Sequence, residues 1–388
     1  MPDRNKHYLP DRLASCQNTN RRRFGGGHSG GGDGAYRTLN PKAAITRAKK
    51  RILLIIPPAM LFALAAALLL ASPEHPQVRR ETAIFGTRAV ITINKMPEQQ
   101  AAAAIGEVFA HFGKMHKRFH PWQPGELTRI NNAIRNDNLP VSIGAEMAMM
   151  ITLAADHSRR GEYLFNPAAG ALVSMWGFHQ NKTQQPPDAE TLARFAADIP
   201  SLRLMTITNG NIIAAHPKTQ LDFGAIAKGA ALDAARDILR ARGVRNALVN
   251  VGGNMIALGD NNGKPWRAGL SGGGEVFGAL SLQDGEALAI SGGGEQNFVY
   301  EGKKYHHIIN PQTARPATNA ALAAVISDDA ANAGALSDSC ATALVIADKK
   351  QAARILQNCQ IKAALRIIQT KTQTATITTP PMSARLHR

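Results

Sequence analysis

Cysteine is scarce: three occur in 388 residues, and Cys16 lies in a segment set apart from the rest by composition. So few thiols exclude a dense disulfide framework. Cys340 and Cys359 remain in the body, where an oxidising compartment would permit a bridge; two free thiols in helix and strand cores are the commoner arrangement and are expected here. Aromatic residues are also few, at 5%. Acidic residues fall short of basic ones, 28 against 45, giving a formal net charge of +17. Residues 1–51 hold 12 Lys/Arg against three Asp, a net of +9, so +8 is left for the remainder. Half the excess is thus a property of a tail, and no aromatic-basic pattern accompanies the rest. A nucleic-acid partner is not expected.

Long apolar runs are missing with one exception. Ile52 to Ala71 carries no charge and is interrupted only by Pro57-Pro58. That length spans a bilayer, and the preceding Lys49-Lys50-Arg51 sets residues 1–51 in the cytoplasm and the body outside. A cleaved signal peptide is the competing reading, and both export the body. The expected organisation is a disordered basic tail at 1–51, a single hydrophobic helix as anchor or signal at 52–72, a linker at 73–82, a folded domain at 83–370 and a polar tail at 371–388. The expected locale is the inner membrane, with the body in the periplasm.

Within the domain, β-branched and alternating runs mix with 3.6-residue periods. One strand is expected from Ala83 to Ile93, a helix from Pro97 to about Arg118, and another from Ala145 to Arg160 with Met147, Met149 and Met150 as core filler. Asp188 is placed to cap a helix, and Asn209-Gly210 marks a hairpin. Further strands are read at Ala247 to Val251, Met255 to Leu258, Trp266 to Leu270, Ala279 to Leu282, Ala287 to Ile290 and Ala321 to Ser327, with glycine turns at Ser271 to Glu275 and Ser291 to Glu295. Antiparallel signals mixed with several helices predict an α+β fold with largely antiparallel sheets and flanking helices.

The densest chemistry lies in Leu221 to Asp233, a strand-to-helix passage holding Asp222, Gly224, Lys228 and Gly229. Helix N-terminal N–H groups plus the Lys228 ammonium suit a phosphate, and an ordinary turn with a solvated lysine fits the same residues equally well. Asp338 and Thr342 stand four apart on an expected helix and share a face, a carboxylate and a hydroxyl of the kind Mg²⁺ accepts. A helix acid beside a core threonine is the commoner meaning of that pattern. His307 could act as a base; with His306 beside it, at most one of the two can face inward on a pleated strand. Trp122 is either a core anchor or a ring on which a planar ligand lies.

Seven motifs, taken in order, resemble the ApbE family of FAD:protein FMN transferases. They are Phe85-Gly86-Thr87, Glu126 to Asn131, Phe165-Asn166-Pro167 with Trp176-Gly177-Phe178, Leu221 to Gly229, Val251-Gly252-Gly253, His307 to Pro311, and Ser337 to Thr342. The resemblance implies an enzyme that attaches FMN from its substrate FAD to a threonine of an acceptor flavoprotein, with Mg²⁺ and with release of AMP. It places the metal on the Ala225 carbonyl and the Asp338 and Thr342 side chains. FAD is placed against Phe85, Trp122, Asn131, Phe165, Asn166, Asp222, Lys228, Gly253 and Ile309, and catalysis on His307, Asp338 and Lys228. Four positions depart from the family pattern: Phe85 for methionine, Asn166 and Asn310 for aspartate, and Ala314 for glycine. The loss of two carboxylates leaves open an exported FAD-binding carrier, or a hydrolase giving FMN and AMP.

Overall fold

The computed structural model describes residues 76–179, 185–272, 275–294, 296–328, 331–369 and 373–387. The tail at 1–51 and the hydrophobic segment at 52–72 lie outside them. No helix among the described residues is long and apolar enough to cross a membrane.

The body begins inside the stretch expected as a linker. Val78–Ile84 forms β1, which pairs antiparallel with β2 (Thr87–Asn94) from Val78↔Ile93 to Ile84↔Thr87. The single strand expected from Ala83 is therefore a hairpin. Its turn residues Phe85 and Gly86 both take positive φ, 53° and 69°, as a two-residue turn between twisted strands requires. The segment reads as linker because Arg79, Arg80 and Glu81 point to solvent while their backbone is paired.

Helix α1 (Glu98–Phe119) buries Ala101, Ala104, Ile105, Val108, Phe112, Met115 and Phe119, the stripe its periodicity predicts. Then come α2 (Glu126–Arg135), β3 (Val141–Ser142), α3 (Ala145–Arg160), α4 (Gly170–Met175) and α5 (Ala189–Ala196). Asp188 caps α5 as expected, accepting the Thr191 N–H at 2.8 Å. On α3, Met147 and Met150 are buried but Met149 is exposed, so it is not core filler. The Asn209-Gly210 hairpin joins β4 (Thr206–Thr208) to β5 (Asn211–Ala214), and α6 (Ala227–Ala241) follows.

The rest is mostly strand: β6 (Asn246–Val251), β7 (Asn254–Leu258), β8 (Trp266–Gly272), β9 (Glu275–Leu282), β10 (Ala287–Gly292), β11 (Asn297–Tyr300), β12 (Lys303–His306), β13 (Ile309–Asn310), β14 (Arg315–Pro316) and β15 (Leu322–Ser327). Ser291, expected in a glycine turn, belongs to β10. The chain closes with α7 (Ala333–Ile346), α8 (Lys349–Asn358), β16 (Ala363–Gln369), β17 (Thr374–Thr378), α9 (Pro380–Ser383) and β18 (Leu386–His387).

Eight strands form one antiparallel sheet in the order β1-β2-β6-β7-β10-β15-β16-β17. Side chains alternate between its faces. Ala287, Ala289, Ala323 and Val325 join the core shared with α1, α6 and α7. Leu288, Leu322, Ala324 and Ile326 join a second core with Trp266, Leu270, Leu280 and Leu282 of the β8-β9-β18 sheet. Both faces of the central strands are covered, so they read as unbroken apolar runs. The small side chains on the helical face let α7 lie close to the sheet.

Of the segment expected as a polar tail at 371–388, the described residues 373–387 belong to the fold. Within it, β17 pairs with β16, β18 pairs with β9, and Met382 is fully buried. Arg385 reaches the nearly buried Glu286 at 2.5 Å. Cys340 and Cys359 are joined as a disulfide between α7 and the end of α8, with Cα atoms 7.1 Å apart, in place of the expected free thiols. Both are buried, so burial alone could not have told pair from thiols.

Candidate active site

The strand-to-helix passage before α6 is held from both sides. Asn131 on α2 accepts the Leu221 N–H at 2.7 Å and donates to the Leu221 carbonyl at 2.9 Å. The Asp222 N–H donates to the Pro167 carbonyl at 2.9 Å. Asp222 Oδ1 in turn accepts the Gly224 N–H at 2.8 Å, which closes the turn that starts the helix. Loss of solvent pushes the Asp222 carboxyl above its ordinary range, against the pull of the Gly224 N–H, Lys228 and His179.

From the first turn of α6, Lys228 swings back over the loop. Its Nζ lies 3.1 Å from the Gly224 carbonyl and 3.9 Å from Asp338 Oδ1 on α7. Asp338 is buried, and its Oδ2 accepts the Gly229 N–H at 3.0 Å. One turn on, Thr342 Oγ1 stands 3.2 Å from the Asp338 carbonyl and 3.2 Å from Ser291 Oγ. A loop carbonyl and a buried carboxylate thus meet at a side-chain ammonium, with a hydroxyl one helical turn further along α7. These are hard oxygen donors, and a cation already stands among them. The set fits Mg²⁺ with further positions left for waters or phosphate oxygens. Among the described residues no trio of His, Cys, Asp or Glu converges on one point, so a closed site made of such ligands is absent there.

His307 follows the last residue of β12, where the pleat has ended. Both neighbouring imidazoles therefore turn inward, contrary to strict alternation: His306 Nε2 meets the Ala317 carbonyl at 2.8 Å, and His307 Nδ1 the Gln296 carbonyl at 3.2 Å. A carbonyl only accepts, so His307 carries its proton on Nδ1 and keeps Nε2 as an acceptor. Burial holds its pKa down to about 4; the Gln296 carbonyl opposes this and the Lys228 charge adds to it.

Trp122 stacks on His179 with ring centres 4.2 Å apart and planes 18° from parallel. The pair lines a cavity of about 940 Å³ with Thr128, Arg129, Arg135 and Gln220. This cavity lies beside Asp222 in the chain but is not lined by Lys228, His307 or Asp338. Phe85 packs its ring 5.7 Å from both Phe112 and His116 on α1. Gly253 takes φ +91° in the β6–β7 turn, with its N–H on Asn250 Oδ1 at 3.0 Å. Phe165 is buried in the main core, Asn166 donates to the Pro200 carbonyl at 2.8 Å, and Ile309 packs with Trp176, Phe298 and Tyr305.

The fold therefore brings together Lys228, the Gly224 carbonyl and Asp338, with Thr342 one turn on along α7 and with Asp222 and His307 within electrostatic reach of Lys228. Asn131 holds the backbone of that passage at Leu221, while Asn166 holds Pro200 and Ala168. Sequence reasoning missed Ser291, His179 and Gln296. Only the serine left a trace, a polar residue ending an apolar strand; the others are set by contacts between segments far apart in the chain.

A profile of the ApbE family matches residues 85–365. A Rhodobacter capsulatus protein named FAD:protein FMN transferase is 39% identical over 318 residues, covering 80% of this chain and 58% of that protein. A Klebsiella pneumoniae protein of the same name is 34% identical over 198 residues, covering 49% of this chain and 60% of that one. The chain thus spans less than two thirds of the length of these relatives. Among solved structures, the flavin transferase ApbE of Vibrio cholerae superposes with TM-score 0.69 at 23% identity over 80% of this chain and 99% of its own. The ApbE protein of Thermotoga maritima gives 0.70 at 23% identity over 81% and 100%.

Proposed function

This chain belongs to the ApbE family, and on that footing we propose that it is an FAD:protein FMN transferase, moving FMN to a threonine hydroxyl of an acceptor flavoprotein with release of AMP. The observation that carries the reading is the meeting of Lys228, the 224–225 loop and Asp338 at one point.

The bond that forms joins the threonine oxygen to the FMN phosphorus; the bond that breaks joins that phosphorus to the oxygen leaving with AMP. Negative charge grows on the nonbridging and leaving oxygens. Lys228 faces that charge, and Mg²⁺, when bound by the Ala225 carbonyl, Asp338 and Thr342, supplies further electrostatic stabilisation. His307 offers Nε2 to the threonine proton and is neutral at physiological pH. Asp338 has its carboxylate turned to Gly229 and Lys228, which favours His307 over it as the base. The hydrophobic run at 52–71 and its basic flank support a periplasmic body tethered to, or exported across, the inner membrane.

Incubating the protein with FAD, Mg²⁺ and a threonine-bearing acceptor tests the reading. Covalent flavin on the acceptor with equimolar AMP is the expected outcome. AMP without an acceptor would mean hydrolysis, and bound FAD without AMP a carrier; either replaces the proposal. Asp338→Ala is expected to remove Mg²⁺-stimulated turnover with the fold intact by circular dichroism. Lys228→Ala is expected to raise the FAD needed for half-maximal rate by about tenfold, the scale of a lost charge-assisted contact.

A further inference from the structure

Helices α6 and α7 grip each other by their first turns. Gly229 and Gly334 meet backbone to backbone: a Cβ on Gly229 would lie 2.1 Å from the Gly334 carbonyl oxygen, and one on Gly334 would lie 2.3 Å from that of Gly229. Contact this close brings each helix start within reach of a carboxylate on the other. Gly229 N–H donates to Asp338 Oδ2 on α7 at 3.0 Å. In return, the Gly334 and Ala335 N–H groups donate to Oδ1 and Oδ2 of Asp233 on α6, at 2.8 and 2.9 Å. Arg236 Nη1 stands 3.3 Å from Asp233 Oδ1, and the Arg236 guanidinium also donates to the Ala331 carbonyl just before α7.

We propose that Asp233 is a positioning residue for the cation site, fastening the start of α7 to α6 so that Asp338 and Thr342 stand at a fixed distance from Lys228 and the 224–225 carbonyls. The inference rests on the reading that Asp338 and Thr342 hold Mg²⁺. Two features favour positioning over mere cohesion. Asp233 is buried, and a buried carboxylate is a costly way to join two helices when apolar side chains would do it. It also binds both N–H groups with separate oxygens, which fixes the crossing in distance and in rotation. Asparagine cannot reproduce this, because its NH₂ would face one of the two N–H donors.

The test is Mn²⁺ binding at pH 8, where the Asp233 carboxyl is ionised, to the full chain without FAD, followed by electron paramagnetic resonance, for the wild type, Asp233→Asn and Asp338→Ala. We expect Asp338→Ala to lose the tight Mn²⁺ site. Asp233→Asn, with its melting temperature measured alongside, is expected to weaken Mn²⁺ by roughly 10- to 100-fold, as for other residues that orient metal ligands. Wild-type affinity in Asp338→Ala overturns the metal reading itself. Loss in Asp338→Ala with wild-type affinity in Asp233→Asn overturns the role of Asp233 alone. Should Asp233→Asn not fold, hydrogen exchange on the wild type decides: Mg²⁺ slows exchange over residues 333–337 if the cap and the site are coupled, and unchanged exchange overturns the proposal.

Discussion

His307 has one nitrogen on the Gln296 carbonyl and a pKa held at about 4 by burial. The folded protein therefore keeps the imidazole neutral far below the ordinary histidine value. If it is the base, the acid limb of kcat/KM lies near pH 4–5, not near 6.5; the pH profile with saturating acceptor checks this, and His307→Ala lowers kcat by roughly 10²- to 10⁴-fold. Asn131 makes the opposite point. Its place in a motif suggested a ligand contact, yet both ends of its amide hold Leu221. Asn131→Ala leaves a buried N–H and carbonyl unpaired, at about 1–3 kcal/mol each, and is expected to lower stability in urea more than it alters FAD affinity. Residue type and spacing set Asp338 and Thr342 one turn apart on a helix, as the structure has them. They could not tell which polar side chains the backbone would claim.

Periodicity drew the helices well: α3 runs from Ala145 to Arg160 as read, and α1 differs at each end by a residue. Helix α7 is apolar nearly all round and is buried on all sides, so its pattern names no inward face. What it touches is decided by Gly229 and Gly334. Gly229→Ala is expected to destabilise the body by ~1–3 kcal/mol through overpacking, read from denaturant midpoints. Asp233 adds a pH signature. Its carboxyl is pushed up to about 7, chiefly by burial, so between pH 4 and 7 the unfolded chain releases this proton before the folded one does. Its contribution to stability is full below about pH 4 and lost as pH rises through 7. Asp233→Asn is expected to remove that downward slope, seen by comparing unfolding free energies of variant and wild type at pH 4.5, 5.5 and 6.5.

At the scale of the whole body, the last strands tie the sheets together. Residues 373–387 supply the β17 edge, the buried Met382 and the Arg385–Glu286 pair. Truncation after Gln373 is expected to lower the melting temperature by about 5 °C or more, given the usual cost of losing a buried methionine and a partly buried ion pair. The α+β class, most strands, the main helices, the Asp338–Thr342 pair and the family resemblance were all determined by the sequence, because side-chain period and residue type are local properties. The tertiary structure alone decided that β1 and the C-terminal segment belong to the fold, that Cys340 finds Cys359, that Asn131 serves the backbone, and that Asp233 caps the helix carrying Asp338. Each of those depends on backbone pairing or on contact between residues distant in the chain, and neither leaves a periodic trace in composition.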